Sequence, residues 1–301
     1  MRLLIALLAL SLLACGEVSP VSTPPPEAPP APRLAVPTVP RSPVVALQGE
    51  PLVITRTAIE LSDGPAVAAL VDGRVRAEDR SGPLSIPALR DRVAAMPADW
   101  APTVAVHPDV PFATVGQAVY TLGNAGRTSL GFVARVGEDL VVIPIWLPNA
   151  RNEIIGAPDG PGALADVLAG GAVSDATGEA PAAPRDPSPD EEEDSTLHLV
   201  LRVGGDGVWV TSVAGRVAPG CEVTTSERSP TVPRVDGAHD LTGLTACLEQ
   251  IAREYPDEDR VMVTADPDVP FGDFAQVMAV TRTSANGQPL FPTLLLSLGV
   301  F

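Results

Sequence analysis

One phrase written twice constrains this chain more than any other feature. Thr103-Val-Ala-Val-His-Pro-Asp-Val-Pro-Phe112 returns as Met262-Val-Thr-Ala-Asp-Pro-Asp-Val-Pro-Phe271, an offset of 159 residues from His107 to Asp266. The same offset carries Leu89 onto Leu248, Val104 onto Val263 and Gln117 onto Gln276 without a gap. A period of that length exceeds any solenoid unit, so it marks a duplicated small domain. The 301 residues accordingly divide into two copies, residues 46–148 and 195–301.

Both copies read in the same order. In the first, Leu52–Leu61 reads as a strand, Ser62-Asp63-Gly64-Pro65 as a turn, and Ala66–Val75 as a second strand. Ser85 is placed to cap a helix running to about Met96, with Ile86, Leu89, Val93 and Met96 three or four apart. Thr103–Val106 follows as a buried strand. A helix through Val110, Val115, Val119 and Leu122 comes next, then strands Leu130–Ala134 and Leu140–Leu147. In the second copy, Leu197–Val203 and Val208–Ala214 flank the hairpin turn Gly204-Gly205-Asp206-Gly207. Asp240 caps a helix carrying Leu241, Leu244, Leu248 and Ile251 on one stripe. Arg260–Ala265 is then a strand, Phe271–Val280 a helix and Leu294–Phe301 the last strand. The expected class is α+β: two tandem two-layer β-β-α-β-α-β domains, each with two helices on one face of a small mixed sheet.

The repeated phrase has a physical rationale. A residue before proline avoids helical backbone, so Pro108 and Pro111, like Pro267 and Pro270, force a tight exit from the strand. Asp109 and Asp268 stand where a carboxylate can accept orphan amides of the following helix. Phe112 and Phe271 are placed to drop into the core, behind Val110 and Val269. On this reading the motif, Asp266 included, is structural rather than catalytic or metal-binding.

Val261-Met-Val-Thr-Ala-Asp-Pro-Asp-Val-Pro-Phe-Gly-Asp-Phe-Ala-Gln-Val-Met278 resembles the ExbD/TolR family, the periplasmic partners of the Ton and Tol energy-transducing motors. The resemblance rests on a strand, an Asp, a Val-Pro-aromatic step and a helix ending in Val-Met. The first copy, with His107 in place of Asp266, is the more divergent match. The resemblance implies a periplasmic fold, surfaces presented by dimers, and contacts with peptidoglycan or envelope proteins. Members of the family begin with a transmembrane helix bearing a functional carboxylate. Here the long apolar run is the short Leu3–Leu13, so the resemblance does not carry the motor across.

Residues 1–15 read as an export signal: Arg2, the apolar run, then Leu12-Leu13-Ala14-Cys15, which looks like a bacterial lipobox. Cys15 is the expected lipidation site, with a plain signal peptide as the alternative. Acylation would hold the chain on a membrane, facing the periplasm, and the absence of Asp after Cys15 favours the outer membrane. Residues 16–45 form a proline-rich tether, with ten Pro between Pro20 and Pro43. Residues 149–194 form an acidic Pro/Gly-rich linker whose 11 acids and 2 Arg give −9 of the total charge of −17. Neither copy has the basic stripe that nucleic-acid binding requires.

Motifs for chemistry are missing: no HExxH, Cys-x-x-Cys, Gly-x-Ser-x-Gly or P-loop spacing occurs. No cofactor, metal or catalytic residue is expected. With Cys15 assigned to lipid, Cys221 and Cys247 read as a disulfide in an oxidising compartment, two buried free thiols being the alternative. The expected function is a non-enzymatic envelope lipoprotein, an accessory or interaction module of a Ton/Tol-type transport or envelope-integrity system. A homodimer is compatible with it. The alternative is a periplasmic lipoprotein that captures a small ligand or peptide. The apolar run Thr293–Phe301 is expected either as an exposed edge that pairs with a partner strand or as a buried strand.

Overall fold

The computed structural model describes residues 34–42, 51–61, 65–97, 100–147, 197–212, 215–217, 221, 223–224 and 229–298. The export signal with Cys15, most of the tether, the acidic linker and the last three residues lie outside them. The first copy contains β1 Leu52–Ile54, β2 Ala58–Leu61, β3 Ala68–Val71, β4 Arg74–Val75, α1 Pro87–Ala94, β5 Thr103–Val106, α2 Phe112–Asn124, β6 Ser129–Val136 and β7 Asp139–Trp146. The second contains β8 Leu199–Val203, β9 Gly207–Ser212, β10 Gly215–Val217, β11 Val223–Thr224, β12 Val232–Val235, β13 Ala238–His239, α3 Leu241–Glu254, β14 Arg260–Ala265, α4 Phe271–Arg282 and β15 Thr293–Leu296.

The class is α+β, built on one large mixed sheet. Its strands run β11-β10-β9-β8-β14-β15-β7-β6-β5-β1-β2-β3-β4, with β12 pairing to β9 and to β13 off that path. In each copy a hairpin strand, a first strand and two crossover strands lie side by side: β2-β1-β5-β6 and β9-β8-β14-β15. The first strand pairs antiparallel with its hairpin mate and parallel with the strand after the first helix. β7 is the odd strand. It runs antiparallel to β6 over eight residue pairs and parallel to β15 at Leu295↔Trp146, so it joins the two copies in opposite directions.

The expected pair of separate domains is therefore replaced by one sheet, over which a large buried apolar cluster runs from Val39 to Leu296, with a smaller one of Val36, Ala105 and Val133 beside it. The reason is visible in the aromatic residues. Phe112 of the first copy lies 4.6 Å from Phe274 of the second, and Phe271 lies 4.9 Å from Phe132 of the first. All four rings are fully buried. Each copy lends the other the aromatic volume that a core built on Val, Leu, Ile and Ala lacks, and α2 packs against α4 across the junction.

Other expectations need local correction. Leu52–Leu61 is a hairpin and not a single strand: Thr55 Oγ1 accepts from the amides of Thr57 (3.2 Å) and Ala58 (2.9 Å), closing a turn that pairs Leu52 with Leu61. Ala66–Val75 is likewise split by Asp72-Gly73, both at positive φ, and Asp236-Gly237 makes the matching turn between β12 and β13. The first helix is not capped by Ser85. It starts at Pro87, whose missing N–H suits a first helical turn, while the Ile86 amide donates to Thr121 Oγ1 at 3.0 Å. The Gly204–Gly207 hairpin and the Asp240 cap, which accepts from Gly243 N at 2.8 Å, stand as expected.

Residues 34–42 are not free tether. The Val39 amide donates to Arg135 O and the Arg135 amide to Pro37 O, at 2.8 and 2.9 Å, so the segment lies against β6. Val36 and Val39 are buried, and Arg41 donates to Thr245 Oγ1 of α3 at 2.9 Å. This strap touches both copies. β15 lies between β14 and β7, so Thr293–Leu296 is an interior strand and not an exposed edge. Cys221 and Cys247 form a disulfide with a Cα–Cα distance of 5.1 Å, tying the excursion that contains β10 and β11 to α3.

Two outcomes follow from this packing. Phe271→Ala removes a fully buried ring at the junction and should lower stability by about 3–5 kcal/mol. Urea denaturation should then show one transition, with β5 and β14 amides exchanging through a common opening in both proteins. Cys247→Ser should lower stability by about 3 kcal/mol by freeing the unfolded chain, read as a lower denaturation midpoint that the unsubstituted protein reproduces only under reductant.

Candidate functional site

The duplicated phrase meets itself. Helices α2 and α4 begin at Phe112 and Phe271, each preceded by a proline that has no amide to satisfy. The next two amides of each helix are orphans that no carboxylate caps. Phe112 N donates to Val269 O at 2.9 Å and Ala113 N to Pro267 O at 3.0 Å. In return Phe271 N donates to Val110 O and Gly272 N to Pro108 O, both at 2.9 Å. Pro111 and Pro270 sit opposite one another as an antiparallel bridge. Each copy thus caps the helix of the other with backbone carbonyls, where a buried unpaired amide would cost about 1–3 kcal/mol.

This arrangement corrects the role expected for Asp109 and Asp268. Neither caps its own helix. Asp268 makes an exposed ion pair with Arg74 of the first copy, a contact of modest worth in water. Asp109 is exposed and takes its amide hydrogen bond to His107 Nδ1 at 3.2 Å. His107 and Asp266 occupy matching places: their amides donate to the ends of β1 and β8, at Ile54 O and Val203 O. Asp266 differs in accepting from Arg202 Nε at 2.7 Å. The Arg202 guanidinium lies 6.0 Å over Trp209, whose Nε1 is 3.3 Å from Asp206 Oδ1.

Beside the crossing, the two copies part company. The hairpin β3–β4 places Leu70 opposite Val75, and both are buried. The matching hairpin β12–β13 places Arg234 opposite His239. Above the first hairpin, Thr114 of α2 donates to Gly73 O at 2.7 Å. The residue that the offset of 159 places on Thr114 is Asp273, which accepts from Arg234 Nη2 at 2.7 Å through Oδ2 and lies 3.6 Å from His239 Nε2 through the same oxygen. A carboxylate cannot donate to a carbonyl, so the second hairpin loses the lock of the first. A Cβ on Gly73 would stand 2.9 Å from Pro111, whereas one on Gly237 would meet nothing within 4 Å.

The His239 side chain is only 2% exposed, and neither ring nitrogen has a hydrogen-bond partner among the described residues. Burial, and then the Arg234 guanidinium, hold its pKa below the usual 6.5, against the opposite pull of Asp273 and Asp206. A buried imidazole beside a carboxylate stands here where the first copy has a valine. Sequence reading passed over it. Aligning Val71-Asp72-Gly73 with Val235-Asp236-Gly237 would have set Leu70 against Arg234 and Val75 against His239.

The motif residues expected as structural are brought together at the crossing; Cys15 lies outside the described residues. Among the described residues no group of three or more His, Cys, Asp or Glu could hold a metal, and no helix is long and apolar enough to cross a membrane. No family model, curated protein or solved structure matches the chain.

Acid should weaken the fold through His239. Its folded pKa lies below the unfolded value, so the unfolded chain binds the proton more readily. The stability contributed by the neutral ring is full above pH 6.5 and falls as pH drops from there towards the lowered native value. The difference in urea midpoint between pH 7.5 and pH 5.5 should be smaller in His239→Gln than in the unsubstituted protein.

Proposed function

We propose that this chain is a non-enzymatic envelope lipoprotein whose two ExbD/TolR-like copies act as one pre-assembled pair. Acylated Cys15 would hold it on a membrane facing the periplasm, with the outer membrane favoured. The paired copies would be presented to peptidoglycan or to an envelope protein of a Ton/Tol-type system. The observation that carries the reading is the reciprocal capping of Phe112 and Phe271. The resemblance implies surfaces that dimers present, and here two copies of the resembling motif meet as a dimer does, each bonding to the other's equivalent atoms. The motif is spent on that contact, which agrees with a structural rather than a catalytic role.

The strap adds support for an anchored module. A tether that ended at a loose chain terminus would transmit nothing to the fold; this one ends against β6 and α3, contacting both copies. The Cys221–Cys247 disulfide fits an oxidising compartment.

Two measurements test the reading. In cells of the source organism, Cys15→Ser should move the protein from the membrane fraction to the soluble periplasmic fraction. The soluble variant should then co-sediment with purified peptidoglycan sacculi or retain a discrete envelope protein after cross-linking. Membrane retention of Cys15→Ser would remove the lipid anchor. Capture of a small molecule alone, with neither sacculi nor protein bound, would favour the ligand-binding alternative.

A further inference from the structure

We propose that His239 is a proton-operated release for the β12–β13 hairpin of the second copy: protonated, it takes the Asp273 oxygen that Arg234 holds, and the hairpin loosens. The inference is independent of the envelope reading. It rests on two cationic groups being aimed at one atom. Asp273 Oδ2 accepts from Arg234 at 2.7 Å and lies 3.6 Å from His239 Nε2. The neutral ring can leave the carboxylate to Arg234. When the imidazole takes one proton from solvent, both ring nitrogens become donors and the ring becomes a cation. It then lies beside Arg234, its partner across the hairpin, and both compete for the same oxygen.

The groups that face the ring decide the direction. Arg234 comes from β12, Asp273 from the first turn of α4, and Asp206 from the turn between β8 and β9. One cation and two carboxylates surround a neutral ring, and the nearer carboxylate is already engaged. Asp240, next in sequence, is committed to Gly243 N. Arg234 has a second acceptor in Gly205 O at 3.3 Å, so it can give up Asp273 and keep a partner. Beyond the Arg234 amide, which donates to Asp206 O at 3.1 Å, little else holds the hairpin tip: Val235 is 54% exposed, and space around Gly237 is open.

The first copy supplies a control within the same molecule. Its hairpin carries Leu70 and Val75 in place of the titratable pair, is tied to α2 by Thr114, and is packed on Pro111. It has no imidazole to protonate.

Hydrogen exchange on the full chain, corrected for the intrinsic pH dependence of amide exchange, tests the proposal at pH 7.5 and 5.5. Protection of the β12–β13 amides should fall about tenfold, the equivalent of one pKa unit of coupling, while β3–β4 holds. His239→Gln should abolish the fall. The double variant Arg234→Leu, His239→Val installs the first copy's pair and should keep the second hairpin protected at both pH values, which covers the case in which the single variant misfolds. Equal loss in both hairpins, no loss in the unsubstituted protein, or a fall that persists in the folded variants would overturn the proposal.

Discussion

Four backbone hydrogen bonds at the crossing of the duplicated phrase are the constraint on which the rest of this structure depends. A helix that begins with Pro-Phe, with no side chain to cap it, leaves amides that must find acceptors. The chain finds them in the other copy, at Val269 O and Pro267 O for α2 and at Val110 O and Pro108 O for α4. Once those bonds form, the phenylalanines that follow are aimed into each other's cores, with Phe112 against Phe274 and Phe271 against Phe132. The shared sheet and the continuous core follow from that placement. Separating the copies would expose rings and orphan amides together, so hydrophobic and polar contributions favour the same arrangement.

Much of the local structure was legible. Apolar periodicity located all four described helices and most strands, because helix and strand stripes depend on neighbours in sequence. Asp240 and Gly204-Gly205-Asp206-Gly207 announced a cap and a turn by chemistry that acts within four residues. The Asp72-Gly73 and Asp236-Gly237 turns carried an equally plain signal, and reading one long strand through Ala66–Val75 overlooked it. The carbonyl caps were not legible, since any residue has a carbonyl and nothing in Val110 or Val269 advertises what its oxygen accepts. For the same reason the aspartates were credited with a capping role that distant backbone takes instead.

Duplication also makes the molecule a comparison with itself. At Leu89 and Leu248, and at Val104 and Val263, the two copies agree and the positions are buried in the core. Where they disagree beside the crossing, the exchange of Leu70, Val75 and Thr114 for Arg234, His239 and Asp273 exceeds what packing requires. Burying such groups is unfavourable unless they are paired, and His239 has no hydrogen-bond partner among the described residues. Both arrangements are held on the same hairpin and helix, so the contrast isolates side-chain chemistry from backbone geometry.

The odd strand β7 has a mechanical consequence. In the helical layer the copies are clamped by reciprocal bonds and interleaved rings, whereas in the sheet they meet along β15 and β7, in register at Leu295 and Trp146 alone. Arg282 adds one bond across that seam, to Pro144 O at 3.4 Å. The junction is therefore stiff on one side and compliant on the other. Any bending between the copies would have its pivot at the paired prolines and its travel along the seam, as in a hinged plate whose pin is the sequence written twice.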